Sequence, residues 1–445
     1  MRSFFYFTRE LAVQEEMDKM KGNQLDRIEP ANQQKVRLAV LWSSWQISAN
    51  TLWSVTGVLA DTLGATGVEQ SFVTGAQTLG NASLQGVWGS LSDRFGRRPF
   101  LLIGLLAVGM TAALIPLATT ALELILLLLV PTIVGSAAIP AWNGLLGDIT
   151  TIEQRGRFIG LIAAIGTVAS AIALFLIGYY TVSLGLTGAT QFYPPLYTSA
   201  VIMIIALICV LCLKETMQRV KRRVFNFRAA VRSTPRFIPF LMINAVFFAA
   251  MGAAWPLFPK VTNLYANVFQ VLILTALFSL CSGATQLVGG RLIDRVGRKG
   301  VLFISRFLIF LVPLSHALTL ITDNIWLLIP SQVFGGSLTG LFIVSSTAWL
   351  LDSSPMKDRG SITALFNLVT GITGFSGAII SGFMFDWLDL FWDEKFVLLT
   401  MMLTIVALRV ITASGYVAVN ETLPKTSKLP WYLKALSVKT AHAGS

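Results

Sequence analysis

The chain has 445 residues, 54% of them hydrophobic and only 13% charged, and its mean hydropathy is +0.70. A soluble domain carries roughly 25% charged residues, so this apolar excess is more than one water-facing core can hold and calls for a bilayer. The formal charge of +12 could suit nucleic acid, but the basic residues are confined to particular segments, and three cysteines are too few for a disulfide framework.

The first 36 residues are rich in charge and lack an apolar stretch of signal-peptide type near the start. They read as a cytoplasmic tail. A spanning helix needs about 20 apolar residues, and twelve such stretches follow: 38–60, 70–91, 99–118, 122–147, 158–182, 196–213, 237–258, 267–292, 300–321, 325–351, 360–385 and 395–418. Residues 37–213 thus hold six spans and 237–419 hold six more. A basic linker, 214–236, separates them, and 420–445 form a second tail. Cys209 and Cys212 make a C-x-x-C pair, which could mean redox or metal chemistry. No second ligand pair is in view, and inside an apolar run they read as small packing residues. The linker interleaves Phe225 and Phe227 with arginines. That pattern can bind RNA, but beside so many spans it reads as lying along anionic headgroups.

The positive-inside rule tests this map. With the amino terminus inside, 30 of the 34 Lys and Arg fall on inner segments, and only Lys260 and Lys395 fall on outer loops; Arg306 and Arg409 lie within spans. The asymmetry explains the basic charge without nucleic acid.

Self-similarity is the sharpest signal. Gly89-Ser-Leu-Ser-Asp93-Arg94-Phe-Gly96-Arg97-Arg98 follows span two, and Gly290-Arg-Leu-Ile-Asp294-Arg295-Val-Gly297-Arg298-Lys299 follows span eight, 201 residues later. Asp148 with Arg155-Gly156 follows span four, and Asp352 with Arg359-Gly360 follows span ten, at an offset of 204. Glu215-Thr216 and Glu421-Thr422 end the two halves, at an offset of 206. Nearly constant offsets mean two homologous six-span halves.

These motifs resemble the signature of the major facilitator superfamily, over about residues 37–424. The resemblance implies an all-α integral membrane fold of two pseudo-symmetric six-helix bundles around a central cavity, working by alternating access. It implies no cofactor and no metal. Physically, Gly96 can take a positive φ in the tight hairpin after span two. Gly89 would let another backbone approach closely, and Arg94, Arg97 and Arg98 can hold phosphate headgroups. By resemblance, Asp93 would face the start of span eleven near Ser361, and Arg97 would reach Asp148. The second copy would place Asp294 near span five and Arg298 toward Asp352. The bland alternative is that these charges only set topology.

Polar residues within spans usually face the protein interior. Gln46 and Asn50 share a face of span one, and Gln77, Asn81 and Gln85 share a face of span two. With Asn143, Asn244, Trp255 and Gln332, they are candidates for solute binding, or else for bonds that pack the bundle. The carboxylates all fall at span ends or beyond. Asp61, at the outer end of span one, is the nearest to a coupling group. It lies 24 residues past Arg37, which is about 36 Å of helix.

The drug–proton antiporters of the superfamily carry an Arg in span four and a G-P pair in span five, and sugar porters a Q-Q-x-S-G motif in span seven. All three are missing here. With two histidines and no nucleophile or phosphate-binding motif, a membrane enzyme is disfavoured. The expectation is a monomeric secondary transporter of a weakly polar or amphipathic organic solute in the plasma membrane. Both tails would be cytoplasmic, and the partners would be lipid and solute rather than nucleic acid. A sugar or metabolite facilitator, or a non-transporting receptor, stays open.

Overall fold

The computed structural model describes residues 32–149, 152–213, 231–232, 234, 236–355 and 359–422, with side chains at all of these except 32–34, 76–77, 79–83, 85–86, 147 and 152–157. Most of the two tails and of the central linker lies outside the described residues. So do the side chains of the candidates Gln77, Asn81 and Arg155.

The described residues are helix and turn throughout. Helix α1 is Asn32–Thr62; α2 is Gly67–Ser83, carried on past Leu84 by Gln85–Phe95. Then come α3 Arg97–Leu117, α4 Ala121–Leu146, α5 Phe158–Ser183 and α6 Gly188–Leu211. The second half has α7 Phe237–Tyr265, α8 Val268–Val296, α9 Arg298–Thr322, α10 Ile325–Ser353, α11 Arg359–Asp389 and α12 Glu394–Ala418. The ten helices α3 to α12 are long and apolar enough to cross a membrane. The first two expected spans are not among them. Helix α1 is diluted by Ser43, Ser44, Gln46, Ser48, Asn50 and Thr51, and α2 is interrupted at Leu84.

Successive helices reverse at short turns, so one end of the bundle carries Gly96 and Gly297 with the cations Arg94, Arg97, Arg98, Arg295, Arg298 and Lys299. This basic end contrasts with an opposite end where 63–66, 266–267 and 390–393 turn. The repeat is visible in the turns themselves. Gly96 has φ 111° and Gly297 φ 103°, and each starts the next helix. At the opposite end Thr66 with Glu69 and Asn267 with Gln270 form capping boxes on α2 and α8, again 201 residues apart.

Besides α2, three helices are broken, and each has a proline, which lacks an amide donor, in or near its break. Pro131 precedes the interruption of α4 after Gly135. Pro256 sits in the break of α7 between Gly252 and Leu257. Pro313 follows the 3-10 turn Leu308–Phe310 of α9.

Each half has its own core. Leu101, Leu105, Leu145 and Met203 pack in the first, and Phe240, Phe247, Leu302 and Trp349 in the second. A further cluster joins them: Val268, Val271 and Leu272 of α8 pack with Leu59, Leu174 and Leu196. The halves meet where α2 crosses α11, where α5 lies on α8, and where α1 meets α7.

Candidate functional site

At the opposite end an ion pair bridges the halves. Lys260 Nζ donates to Asp61 Oδ1 at 2.8 Å and to the carbonyl of Ala65 at 3.1 Å. Asn263 Nδ2 donates to the other oxygen of Asp61 at 2.8 Å, and Thr62 bonds Asn263 at 3.3 Å. The side chains of Lys260 and Asp61 are only 7% and 13% exposed. The Phe385 ring lies 4.9 Å from Nζ, and Glu394 is a second, looser acid at 3.8 Å. Lys260 was expected on an outer loop. It is instead a buried residue in Leu257–Tyr265, the stretch of α7 beyond its break. Continuation of α7 past Pro256 carries Lys260 back to the end of α1.

A second acid closes the same end. The Asp386 carboxylate, near the end of α11, accepts from the backbone amides of Gly67 and Val68 (the latter at 2.9 Å). These are orphan donors at the start of α2, where the helix dipole favours an anion. One turn deeper, Ser71 Oγ donates to the Ala378 carbonyl at 2.7 Å. Gly67, Ser71 and Gly75 face Gly382, Ala378 and Phe375, so two helix backbones nearly touch. A Cβ on Gly67 would lie 2.6 Å from the Gly382 carbonyl oxygen. Beside this seam, Asp323 bonds Lys395 and Tyr265, both at 2.6 Å. The Lys395 bond, then that of Tyr265, holds the Asp323 carboxyl below its usual range.

At the basic end the repeated motif forms two similar knots. Arg97 pairs with Asp93, lies 3.3 Å from Asp148 Oδ2, and donates to Ser92 Oγ at 3.0 Å. Arg298 pairs with Asp294 at 2.8 Å and with Asp352 at 3.1 Å. The copies differ in burial: the Asp93 side chain is 21% exposed and that of Asp294 is 67% exposed. Among the described residues the second knot also holds Glu421, which accepts from the amides of Arg298 and Lys299 at the start of α9; its counterpart Glu215 lies outside them. Arg98 bonds the Leu211 carbonyl, Arg94 lies over the Phe95 ring, Arg295 is exposed, and Arg359 is half-buried. Gly89 does not serve a close backbone approach. A Cβ there would meet only Pro140 Cβ at 3.6 Å, an ordinary contact, and at Gly290 it would meet nothing within 4 Å.

Each polar candidate whose side chain is described has its own surroundings. Asn50 donates to Ser170 Oγ at 2.9 Å and ties α1 to α5. Gln46 is half-buried beside Gly166. Asn143 is exposed, Gln332 is half-buried, and Trp255 lies against Gly374. Asn244 is buried, with its amide held by the Phe240 carbonyl and the Tyr416 hydroxyl. That engagement makes it a packing residue of the second half in this conformation.

Arg306 and Arg409, counted in the sequence only as charges within spans, are buried at 3% and 0% exposure. Arg409 is explained by the helix breaks. Its guanidinium donates to the Ile309 carbonyl, to which Pro313 cannot give the regular helical bond, and to the Met251 carbonyl at the break of α7, both at 3.2 Å. The signal that could have found it was the prolines, not the arginine.

Two copies of the Major Facilitator Superfamily profile match the chain, over residues 43–238 and 240–435. The multidrug resistance protein MdtG of Escherichia coli (strain SMS-3-5 / SECEC) is 24% identical over 245 residues, 52% of this chain. That match spans 58% of MdtG, less than two thirds of it. Among solved structures, the nucleoside transporter NupG superposes with a TM-score of 0.67 at 17% identity, over 87% of this chain and 98% of that one. A bacterial homolog of the human lysosomal transporter Spinster, in an inward-facing unoccupied conformation, gives 0.67 at 13% identity, over 86% and 96%. At such identities the likeness is one of fold. The paired profile matches coincide with the two halves built on Gly96 and Gly297, and the chain belongs to the major facilitator superfamily.

Proposed function

We propose that the protein is a secondary transporter that carries a small organic solute between its two halves by alternating access. The observation that carries this is the seam at the opposite end, where Asp61, Lys260 and Asp386 join the halves by bonds that a rocking motion can break and remake. The relatives' printed names, a multidrug resistance protein and a nucleoside transporter, support transport and leave the solute open. The basic end is the cytoplasmic one, by the distribution of Lys and Arg, so the conformation described is closed toward the outside. The protein acts as a monomer in the plasma membrane, without cofactor. Asp61 is the candidate coupling group, because a proton on it would release Lys260 and loosen the seam.

Transport is tested by reconstituting the purified protein into lipid vesicles and following uptake from a mixture of small solutes by mass spectrometry. At least one solute should enter faster than into empty vesicles. If none does, the transporter reading fails.

The basic knots hold the helix ends in register, so they should matter unequally. Each arginine keeps a second acid, Asp148 at 3.3 Å or Asp352 at 3.1 Å, but Asp93→Asn removes a well-shielded partner whereas Asp294 is exposed. Exposed pairs contribute about 0–1 kcal/mol. Asp93→Asn should therefore cut uptake strongly with the protein still in the membrane, and Asp294→Asn only mildly. Equal, undiminished uptake by both would reduce the motif to a topology signal.

Orientation is a separate prediction. Single cysteines at Thr187 and Ser233, in a protein freed of Cys209, Cys212 and Cys281, should react with an impermeant reagent from opposite sides. Reaction from the same side would overturn the placement of the basic end.

A further inference from the structure

Arg306 is left over when the fold is explained. It comes from α9 and ends in the interior of the second half, 3% exposed. Its guanidinium carbon lies 3.2 Å from the centre of the Phe342 ring, 5.0 Å from Phe247 and 5.1 Å from Phe248. The Tyr416 hydroxyl is close to it and donates to Asn244 Oδ1 at 2.7 Å. The Nε donor is buried with no partner. Among the described residues no carboxylate lies within ion-pair range of Arg306. The same holds for Arg409, and the two cations are close enough to repel.

A buried guanidinium without an acid is costly in low dielectric. Ring faces recover part of that cost, and they do so best when desolvated. Neither the rings nor Tyr416 supplies a negative charge, and the unpaired Nε is a donor held ready. Arginine suits an oxyanion because its planar fork can give two parallel bonds. Phe248 is only partly buried and tilts against Phe342, with ring centres 6.0 Å apart. Phe248 is the least buried ring of the cage.

We propose that Arg306 is the binding residue for the negative group of an amphipathic organic anion, a carboxylate or sulfonate on an apolar or aromatic body. The body stacks against Phe248 and Phe342 as those rings part. This narrows the solute class of the transporter reading and rests on it only for the consequence of binding, not for binding itself.

The test uses two probes of one shape, naphthalene-2-sulfonate and the neutral naphthalene-2-sulfonamide, with thermal unfolding of the purified full chain as readout at constant ionic strength. The sulfonate should raise the melting temperature saturably and at about tenfold lower concentration than the sulfonamide, the worth of one charge-assisted bond. Arg306→Gln should abolish that preference. Arg306→Lys, which keeps the charge but not the fork, should retain a weaker one and serves if the glutamine variant does not fold. Equal response to both probes, no response to the sulfonate, or an undiminished preference in Arg306→Gln would each overturn the proposal. Uptake of the sulfonate into vesicles is measured in parallel: binding without uptake counts against transport and leaves the anion site standing.

Discussion

Lys260→Met is expected to open the seam at the opposite end. The substitution leaves Asp61 with 13% of its side chain exposed and without its cation. Removing one partner of a buried pair costs about 3–5 kcal/mol. The lower figure applies, because Asn263 still donates to Asp61 at 2.8 Å. A loss of about 3 kcal/mol shifts the balance between closed and open forms by roughly a hundredfold. Each half keeps its own core, so the loss falls on the contact between halves and not on the helices. Spin labels at Val182 and Leu264, both exposed on opposite halves, should report a longer distance in the variant. The exchange Asp61→Lys with Lys260→Asp should restore the short distance. An unchanged distance in Lys260→Met would mean that the pair is a passenger of the closed form.

Gly382→Leu should act at the same seam by shape. A Cβ on Gly382 would collide with the Gly67 carbonyl and with Ser71 Oγ. The first is backbone and cannot rotate away. Overpacking of this kind costs typically about 1–3 kcal/mol, and here it is paid only in the closed form. Uptake should fall by roughly ten- to a hundredfold, with melting of the separate halves little changed. Gly160→Leu is the control, since a Cβ there meets nothing within 4 Å. Wild-type uptake by Gly382→Leu would show that the halves part and rejoin without this close approach.

The two substitutions separate charge from contact. Lys260→Met should respond to a charge exchange, and Gly382→Leu should not.

What the sequence by itself determined was local or repeated. A helix in lipid must satisfy its own backbone bonds, so the ten passages from α3 to α12 announce themselves by apolar runs of about 20 residues. The sidedness of Lys and Arg and the offset of 201 residues between Gly96 and Gly297 needed no contact information. The turn glycine Gly96 was likewise readable in place. The faces of the helices were not. A membrane helix is apolar toward lipid and toward its neighbours alike, so its periodicity does not say which side is inside. That is why Gln46, Asn50 and Asn244 could be listed as polar but not sorted into binding and packing. It is also why Lys260, read as a loop charge, turned out to seal the bundle against an acid 199 residues away. Only the tertiary structure set Gly67 against Gly382, brought Arg409 to the Ile309 carbonyl, and left Arg306 among rings with no acid among the described residues. Each of those arrangements depends on which helices cross and at what depth, and crossing is decided by the fit of small residues between distant segments.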